Sequence, residues 1–472
     1  MSDLLAARSM MAMSLAFHIL FAVVGMAMPL LMVIAEGLWL RTRDPVYEVL
    51  ARRWAKGTAI LFAVGAVSGT ALSFELGLLW PTFMEHAGPI IGMPFSLEGF
   101  AFFLEAIFLG LYLYGWDRLA PKVHLLMGAL VAFFGTASGV LVVAANAWMN
   151  TPQGFDVLHE GRLLQIHSPS DWPAGLSLLD VEVVDVRPWE AMFNPAFPTQ
   201  ALHMALAAFA TVGIAVAGVH AAMLLKDRDN RFHRAAFTIA IVVGGLFSAL
   251  MPLSGDIAAK HLAHHQPVKL AAMEAHWHTE TCAPLILGGI PDMEAEETNF
   301  ALRIPCALSF LAFADFDAEV MGLVEVPEDE RPNVPIVHFA FQIMVACGTA
   351  MVGLAALIGF FWWRGTKPWD APWLLRLSAL AAPLGFIAVE AGWFVTEVGR
   401  QPWIARGMLR TSEAVTTMPH LTVPLTVFTI LYAVLGVVVV TLLRYIVFRS
   451  PSIPVTDDVA ADPTPEAHDV RH

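Results

Sequence analysis

Residues 11–36 read MAMSLAFHILFAVVGMAMPLLMVIAE, a run without a single lysine, arginine or aspartate. A helix needs about 20 predominantly apolar residues to cross a bilayer, so this stretch alone is long enough to span. It lacks a basic leader and is too long for a signal-peptide core, so it is expected to be retained. Eight further stretches of the same kind follow, at 57–80, 95–116, 123–148, 199–225, 235–254, 335–363, 373–397 and 418–446. None shows the ten-residue alternation of a membrane β-barrel. The spacing predicts an all-α polytopic membrane protein with about nine transmembrane helices.

Composition agrees. Of 472 residues, 57% are hydrophobic and 14% charged, and the mean hydropathy is +0.64. A soluble chain carries about 25% charged residues, so a soluble enzyme and a disordered chain are excluded. A nucleic-acid binder would need a basic surface, whereas the net charge is −14. Membrane lipid is an expected partner and nucleic acid is not. Basic residues then set the orientation, because cytoplasmic connections carry the excess of Lys and Arg. Arg41, Arg43, Arg52, Arg53 and Lys56, then Arg118 and Lys122, then Lys226, Arg228, Arg231 and Arg234 fall on one side. Arg364, Lys367, Arg376, Arg444, Arg449 and Arg471 join them. The N-terminus is therefore expected outside and the C-terminus inside.

This reading divides the chain into residues 1–254, holding spans 1–6 and an outside loop at about 149–198; an outside loop, 255–334; spans 7–9 in 335–446; and a disordered inside tail, 447–472. Loops of that length are usually functional or disordered. Cys282 and Cys306 share the second loop, where a disulfide and two free thiols are both compatible with the sequence. His276-Trp277-His278 reads as a solvated stretch of the same loop, and His124 and His220 read as packing residues.

Ionisable groups within lipid are costly and default to function. Glu98 and Glu105 stand seven apart in span 3, so they share one helix face about 10 Å apart. Glu390 and Glu397 repeat that interval in span 8. With spans 1, 3, 5 and 7 entering from outside, His18, Glu98, His203 and Met344 all lie in the outer half, and Glu397 reaches the same level. Histidine, methionine and carboxylate at one depth are the ligand types haem iron accepts. A His/Met pair suits a six-coordinate electron-transfer haem, and a lone His or Glu leaves a position open for a gas ligand.

Several strings together resemble subunit I of the cytochrome bd-type quinol oxidases. They are Gly399-Arg400-Gln401-Pro402-Trp403 with Gly392-Trp393 and Glu397 before it, Glu98-Gly99 through Glu105, Gly115-Trp116-Asp117-Arg118 and Asn146-Ala147-Trp148-Met149. In the second loop, Gly255-Asp256 and Gln266-Pro267-Val268-Lys269 followed by Glu274 resemble the family's quinol loop. The resemblance covers about residues 5–446.

It implies a terminal respiratory oxidase in the bacterial cytoplasmic (inner) membrane. Quinol would be oxidised at the outer face and O2 reduced to water with protons from the inside, generating a proton-motive force. His203 and Met344 would ligate a low-spin haem b. His18 and Glu397 would each hold one of two high-spin haems, a haem b and either haem d or a third haem b; which holds which stays open. Glu98, Glu105 and Ser138 would line a proton route, Lys269 and Glu274 would serve quinol oxidation, and Arg400, with Trp393 nearby, would neutralise haem propionates. A second membrane subunit and a small single-span subunit are the implied partners. Gln342 stands where better-known members carry arginine. With the second loop of about 80 residues, it points to the short-loop, cyanide-insensitive oxidase-like branch. The alternative is a haem-b electron-transfer protein that does not reduce O2.

Overall fold

The structure, a computed structural model, describes residues 1–446; the expected tail, 447–472, lies outside the described residues. Among these, nine helices are long and apolar enough to cross a membrane. They are α1 (Asp3–Thr42), α2 (Pro45–Leu79), α3 (Pro81–Tyr114), α4 (Pro121–Asn150), α5 (Phe197–Leu224), α6 (Arg231–His265), α7 (Val334–Trp363), α8 (Pro372–Val398) and α9 (Thr422–Tyr445). Their starts are written locally. Ser2, Asp44, Asn230 and Asn333 cap α1, α2, α6 and α7 through side-chain oxygens. Proline occupies a first-turn position in α2, α3, α4, α5, α7 and α8, where its missing N–H costs nothing.

The helices alternate in direction. One end of the bundle carries short turns, such as Arg43-Asp44 and Gly115–Ala120, and the other carries the two long connections. Helix α8 is broken between Ala381 and Leu384, around Pro383. Helices α5 and α6 approach so closely that a Cβ on Gly213 would lie 2.4 Å from Gly244 Cα, and one on Gly244 would lie 2.6 Å from Ile214 N. Only glycine fits at that crossing, which fixes the two helices against each other.

The helices outrun the predicted spans, because polar residues continue them beyond the apolar stretch. Most affected is α6, which the sequence pattern ends at 254 and which runs to His265. Asp256 and Lys260 stabilise this extension with an i,i+4 ion pair at 2.6 Å. Gly255-Asp256 is therefore helical, and the second connection begins at Gln266. The first connection folds into a three-stranded antiparallel sheet, with Phe155–His159 between Arg162–Ile166 and Glu182–Val186. The second holds a helix, Pro267–Glu274, and short strand pairs. Leu285–Leu287 pairs with Leu302–Ile304, and Ile290–Asp292 with Glu297–Asn299. A Cys282–Cys306 disulfide closes this segment. His276 and Trp277 are buried there rather than solvated: Trp277 packs in a cluster with Leu323 and Val334, and the His276 carbonyl accepts from Leu323 N at 3.1 Å.

Candidate functional site

His18 on α1 lies with its Nδ1 3.0 Å from Ser68 Oγ on α2. The Ser68 hydroxyl proton is already donated to Gly65 O at 3.1 Å. A hydroxyl has one proton, so His18 Nδ1–H must donate to Ser68, and Nε2 keeps its lone pair. His203 on α5 repeats the arrangement. Its Nδ1 lies 3.0 Å from Ser254 Oγ on α6, whose proton goes to Met251 O at 3.0 Å. Fixing one nitrogen as donor leaves the other as a metal-competent acceptor. A Cβ at Gly69 would meet His18 Cε1 at 2.8 Å, so glycine there gives the imidazole its room.

Met344 on α7 packs against α8, where a Cβ on Gly392 would stand 3.1 Å from its sulfur. Trp393 follows on the same helix and packs, as Met204 does, against the buried cluster that includes Val143, Ala147 and Ala201. One turn further, Glu397 has both oxygens engaged. Oε1 accepts from the Asn146 amide on α4, and Oε2 accepts from Arg400 Nη2 at 2.6 Å. Arg400 is buried, and its Nε and Nη1 find no partner among the described residues. Two buried cationic donors without acceptors are costly and suit an anionic group from a ligand.

The same network reaches the second connection. Lys269 Nζ donates to Asn150 Oδ1, and Asn150 Nδ2 donates to Asn146 Oδ1 at 3.2 Å. The chain Lys269–Asn150–Asn146–Glu397–Arg400 thus runs unbroken through side chains. Lys269 and Glu274 are both buried on the helix Pro267–Glu274, not in a solvated loop as their polarity suggests. Gly399 makes this possible, since a Cβ there would come within 3.1 Å of Lys269 Cγ. Burial, then the neighbouring Arg400 and Arg406, hold the Lys269 ammonium well below its usual range, opposed by Glu397. Burial pushes the Glu274 carboxyl up to about 8. Gln342 uses both ends of its amide on the strand-paired segment, accepting from Gly288 N at 3.2 Å and donating to Ile286 O at 3.0 Å.

A second polar file lies between α3 and α4. Ser138 Oγ donates to Glu98 Oε1 at 2.9 Å. Glu105 is buried, and its Oε1 has no hydrogen-bond partner among the described residues. Asn146 and Asn150 as a linking pair, and Ser68 and Ser254 as partners of the histidines, were not singled out from sequence. The i,i+4 asparagines near the end of an apolar span were the one readable signal.

The donor sets fit haem. Two imidazoles present free Nε2 lone pairs, a thioether and a carboxylate complete the ligand types, and the orphaned donors of Arg400 match a propionate. The comparisons agree. The profile of the cytochrome bd terminal oxidase subunit I family matches residues 6–451. A Bacillus subtilis (strain 168) chain named as a cytochrome bd menaquinol oxidase subunit I is 38% identical over 456 residues, 96% of this chain and 98% of that one. The cytochrome bd ubiquinol oxidase subunit 1 of the same organism is 31% identical, covering 100% and 99%. The solved bd oxidase of Geobacillus thermodenitrificans superposes with a TM-score of 0.85 at 40% identity, covering 95% of this chain and 99% of that one. With the nine-helix bundle and this site in place, the chain belongs to the cytochrome bd terminal oxidase subunit I family, membrane-embedded quinol oxidases of the bacterial inner membrane.

Proposed function

We propose that the long connections face outward, that quinol is oxidised beside the buried helix Pro267–Glu274, and that O2 is reduced to water with protons drawn from the inner side. The observation that carries this reading is the hydrogen-bonded chain from Lys269 to Arg400. It joins the quinol residues to a carboxylate ligand whose partner arginine retains two donors unpaired among the described residues.

In this reading His203 and Met344 hold a low-spin haem b. His18 and Glu397 hold the two high-spin haems, one of them a haem b and the other haem d or a third haem b. Bound haem would supply one-electron redox chemistry and, where the chain provides a single ligand, a place for O2. The chain supplies the rest. Ser68 and Ser254 hold the histidine tautomers, and Arg400 offers its free N–H groups to propionate oxygens. Trp393 packs next to Gly392 and helps close the space between α4, α5 and α8. Lys269 and Glu274 flank the quinol and take up its hydroxyl protons for release outward, Glu274 only in its ionised form, which gains population as pH rises toward and past about 8.

Two quinols give four electrons and four protons, and one O2 consumes four electrons and four protons to form two waters. Ser138, Glu98 and Glu105 move the consumed protons along α3. Release and uptake on opposite sides generate a proton-motive force without a pump. A second membrane subunit, and a small single-span one, cover part of the exposed apolar flank that includes Phe100, Phe103, Ile107 and Leu111.

The test is the absorption spectrum of the dithionite-reduced protein, with and without carbon monoxide. We expect one low-spin haem unmoved by carbon monoxide and a high-spin signal that shifts. Only six-coordinate haems, with no carbon monoxide binding, would establish the alternative, a haem-b electron-transfer protein that does not reduce O2.

A further inference from the structure

Glu98 and Glu105 share a face of α3, and the next residue at that interval is Tyr112. All three stand in file, each about 10 Å from the next by helix rise. Helix α4 is shaped to this file. A Cβ on Gly128 would lie 2.8 Å from Tyr112 Cε2, one on Gly135 would lie 2.9 Å from Glu105 Oε1, and Ser138 meets Glu98. Gly128 and Gly135 repeat the seven-residue interval on the opposite wall.

Tyr112 is fully buried, and its hydroxyl lies beside the Glu36 carboxyl of α1 without a hydrogen-bond partner among the described residues. Glu36 is also fully buried. Its Oε1 is 2.7 Å from His124 Nδ1, and its Oε2 has no partner among the described residues. His124 Nε2 is 2.9 Å from the carbonyl oxygen of Tyr112.

Counting protons at His124 is decisive. Both ring nitrogens face acceptors, so Nε2–H donates to the carbonyl and one more proton sits between Nδ1 and Glu36 Oε1. The pair is neutral overall and holds one transferable proton. A mere clamp between α1, α3 and α4 would account for that contact. It leaves unexplained why Glu36, Tyr112 and Glu105 each keep a buried oxygen without a hydrogen-bond partner among the described residues. Cβ bonds on a helix tilt toward its N-terminus, so the Tyr112 side chain leans toward Glu105, and Glu105 toward Glu98. At the short-turn end the cluster is roofed by Trp116, 4.2 Å from His124 between ring centres, with Arg52 stacked over it at 4.3 Å. Arg52 also meets the exposed Asp117 at 3.3 Å.

We propose that Glu36, His124 and Tyr112 form the loading station of the proton route, an inner extension that feeds Glu105. The proposal rests on the reading that Glu105 and Glu98 deliver protons for O2 reduction. A proton entering past Asp117 and Trp116 is held between His124 and Glu36. Tyr112 gives its hydroxyl proton toward Glu105 through water and is reprotonated from the Glu36–His124 pair, whose resulting negative charge is cancelled by the next proton to enter from the inner side.

The experiment uses the purified, fully assembled oxidase. The fully reduced enzyme is mixed with O2 while proton uptake is followed with a pH dye, and reduction of the low-spin haem by quinol is timed separately. Tyr112→Phe and Glu36→Gln should slow proton uptake by roughly 10²-fold or more, the scale of a lost positioned proton carrier. Haem content and quinol-driven reduction of the low-spin haem should stay intact, and Glu36→Asp should restore part of the rate. Normal uptake in both variants, with Glu105→Gln slow, overturns the loading station alone. Normal uptake in Glu105→Gln overturns the underlying route. If Glu36→Gln fails to assemble, Tyr112→Phe decides, because it keeps the ring and removes only the hydroxyl.

Discussion

Replacing Gly392 by alanine places a methyl carbon 3.1 Å from the Met344 sulfur and 4.0 Å from its Cγ. Non-bonded carbon atoms rest about 3.5–4.0 Å apart, so the thioether must retreat by about half an ångström. Methionine has three rotatable bonds and gives way readily, so the sulfur moves before the helices do. The backbone is not harmed, since alanine in a helix interior is about 1 kcal/mol better than glycine. The prediction is therefore selective. Gly392→Ala should assemble normally, yet its low-spin haem should show a weakened reduced band and a lower midpoint potential in a redox titration. Carbon monoxide binding at the high-spin site should persist. The control is Gly348→Ala, one turn from Met344 on α7, where an added Cβ meets nothing within 4 Å. An unchanged low-spin spectrum and potential in Gly392→Ala would refute Met344 as the ligand.

Three further outcomes follow from the same geometry. Burial raises Glu274 to about 8, so it is protonated at neutral pH and ionises as pH rises. If it takes the quinol proton, quinol oxidation climbs between pH 7 and 9, and Glu274→Gln flattens that limb with all haems retained; an identical profile in the variant counts against the role. Arg400→Leu removes the 2.6 Å partner of Glu397, a charged hydrogen bond worth roughly 1.5–3 kcal/mol, and should lower the haem count in a pyridine haemochrome assay; full occupancy would contradict the assignment. Asn150→Leu cuts the chain between Lys269 and Asn146 and should slow quinol oxidation with the reduced spectrum intact, whereas wild-type turnover would show that the chain is not used.

The nine spans were legible because each is a single property, apolar length, repeated along the chain. Their ends were not, since α6 continues on polar residues that no hydropathy window follows. His18 and His203 stood out as polar residues in apolar runs. Ser68 and Ser254 did not, because a serine in an apolar run is ordinary and becomes informative only once its proton is seen to point elsewhere. Lys269 and Glu274 read as part of a polar outside loop, and charge alone gives no sign that they are buried. The burial of Lys269 depends on Gly399 and Asn150, well over a hundred residues away. The strand pairs of the second connection are three residues long or less, too short for alternation to register.

The crossing at Gly213 and Gly244 bears on how this family can vary. His203 and Ser254 each lie ten residues from that crossing, toward the same end of two antiparallel helices. Equal arms keep imidazole and hydroxyl level. Deleting one residue between Met204 and Val212 would turn His203 through about 100° and shift it about 1.5 Å, parting it from Ser254. A matching deletion in α6 would not repair this, because both side chains would then be swung out of line. Substitution along these arms is tolerable wherever packing allows, but a change of length is not. The segment between crossing and histidine should therefore drift in composition across relatives and hold its residue count.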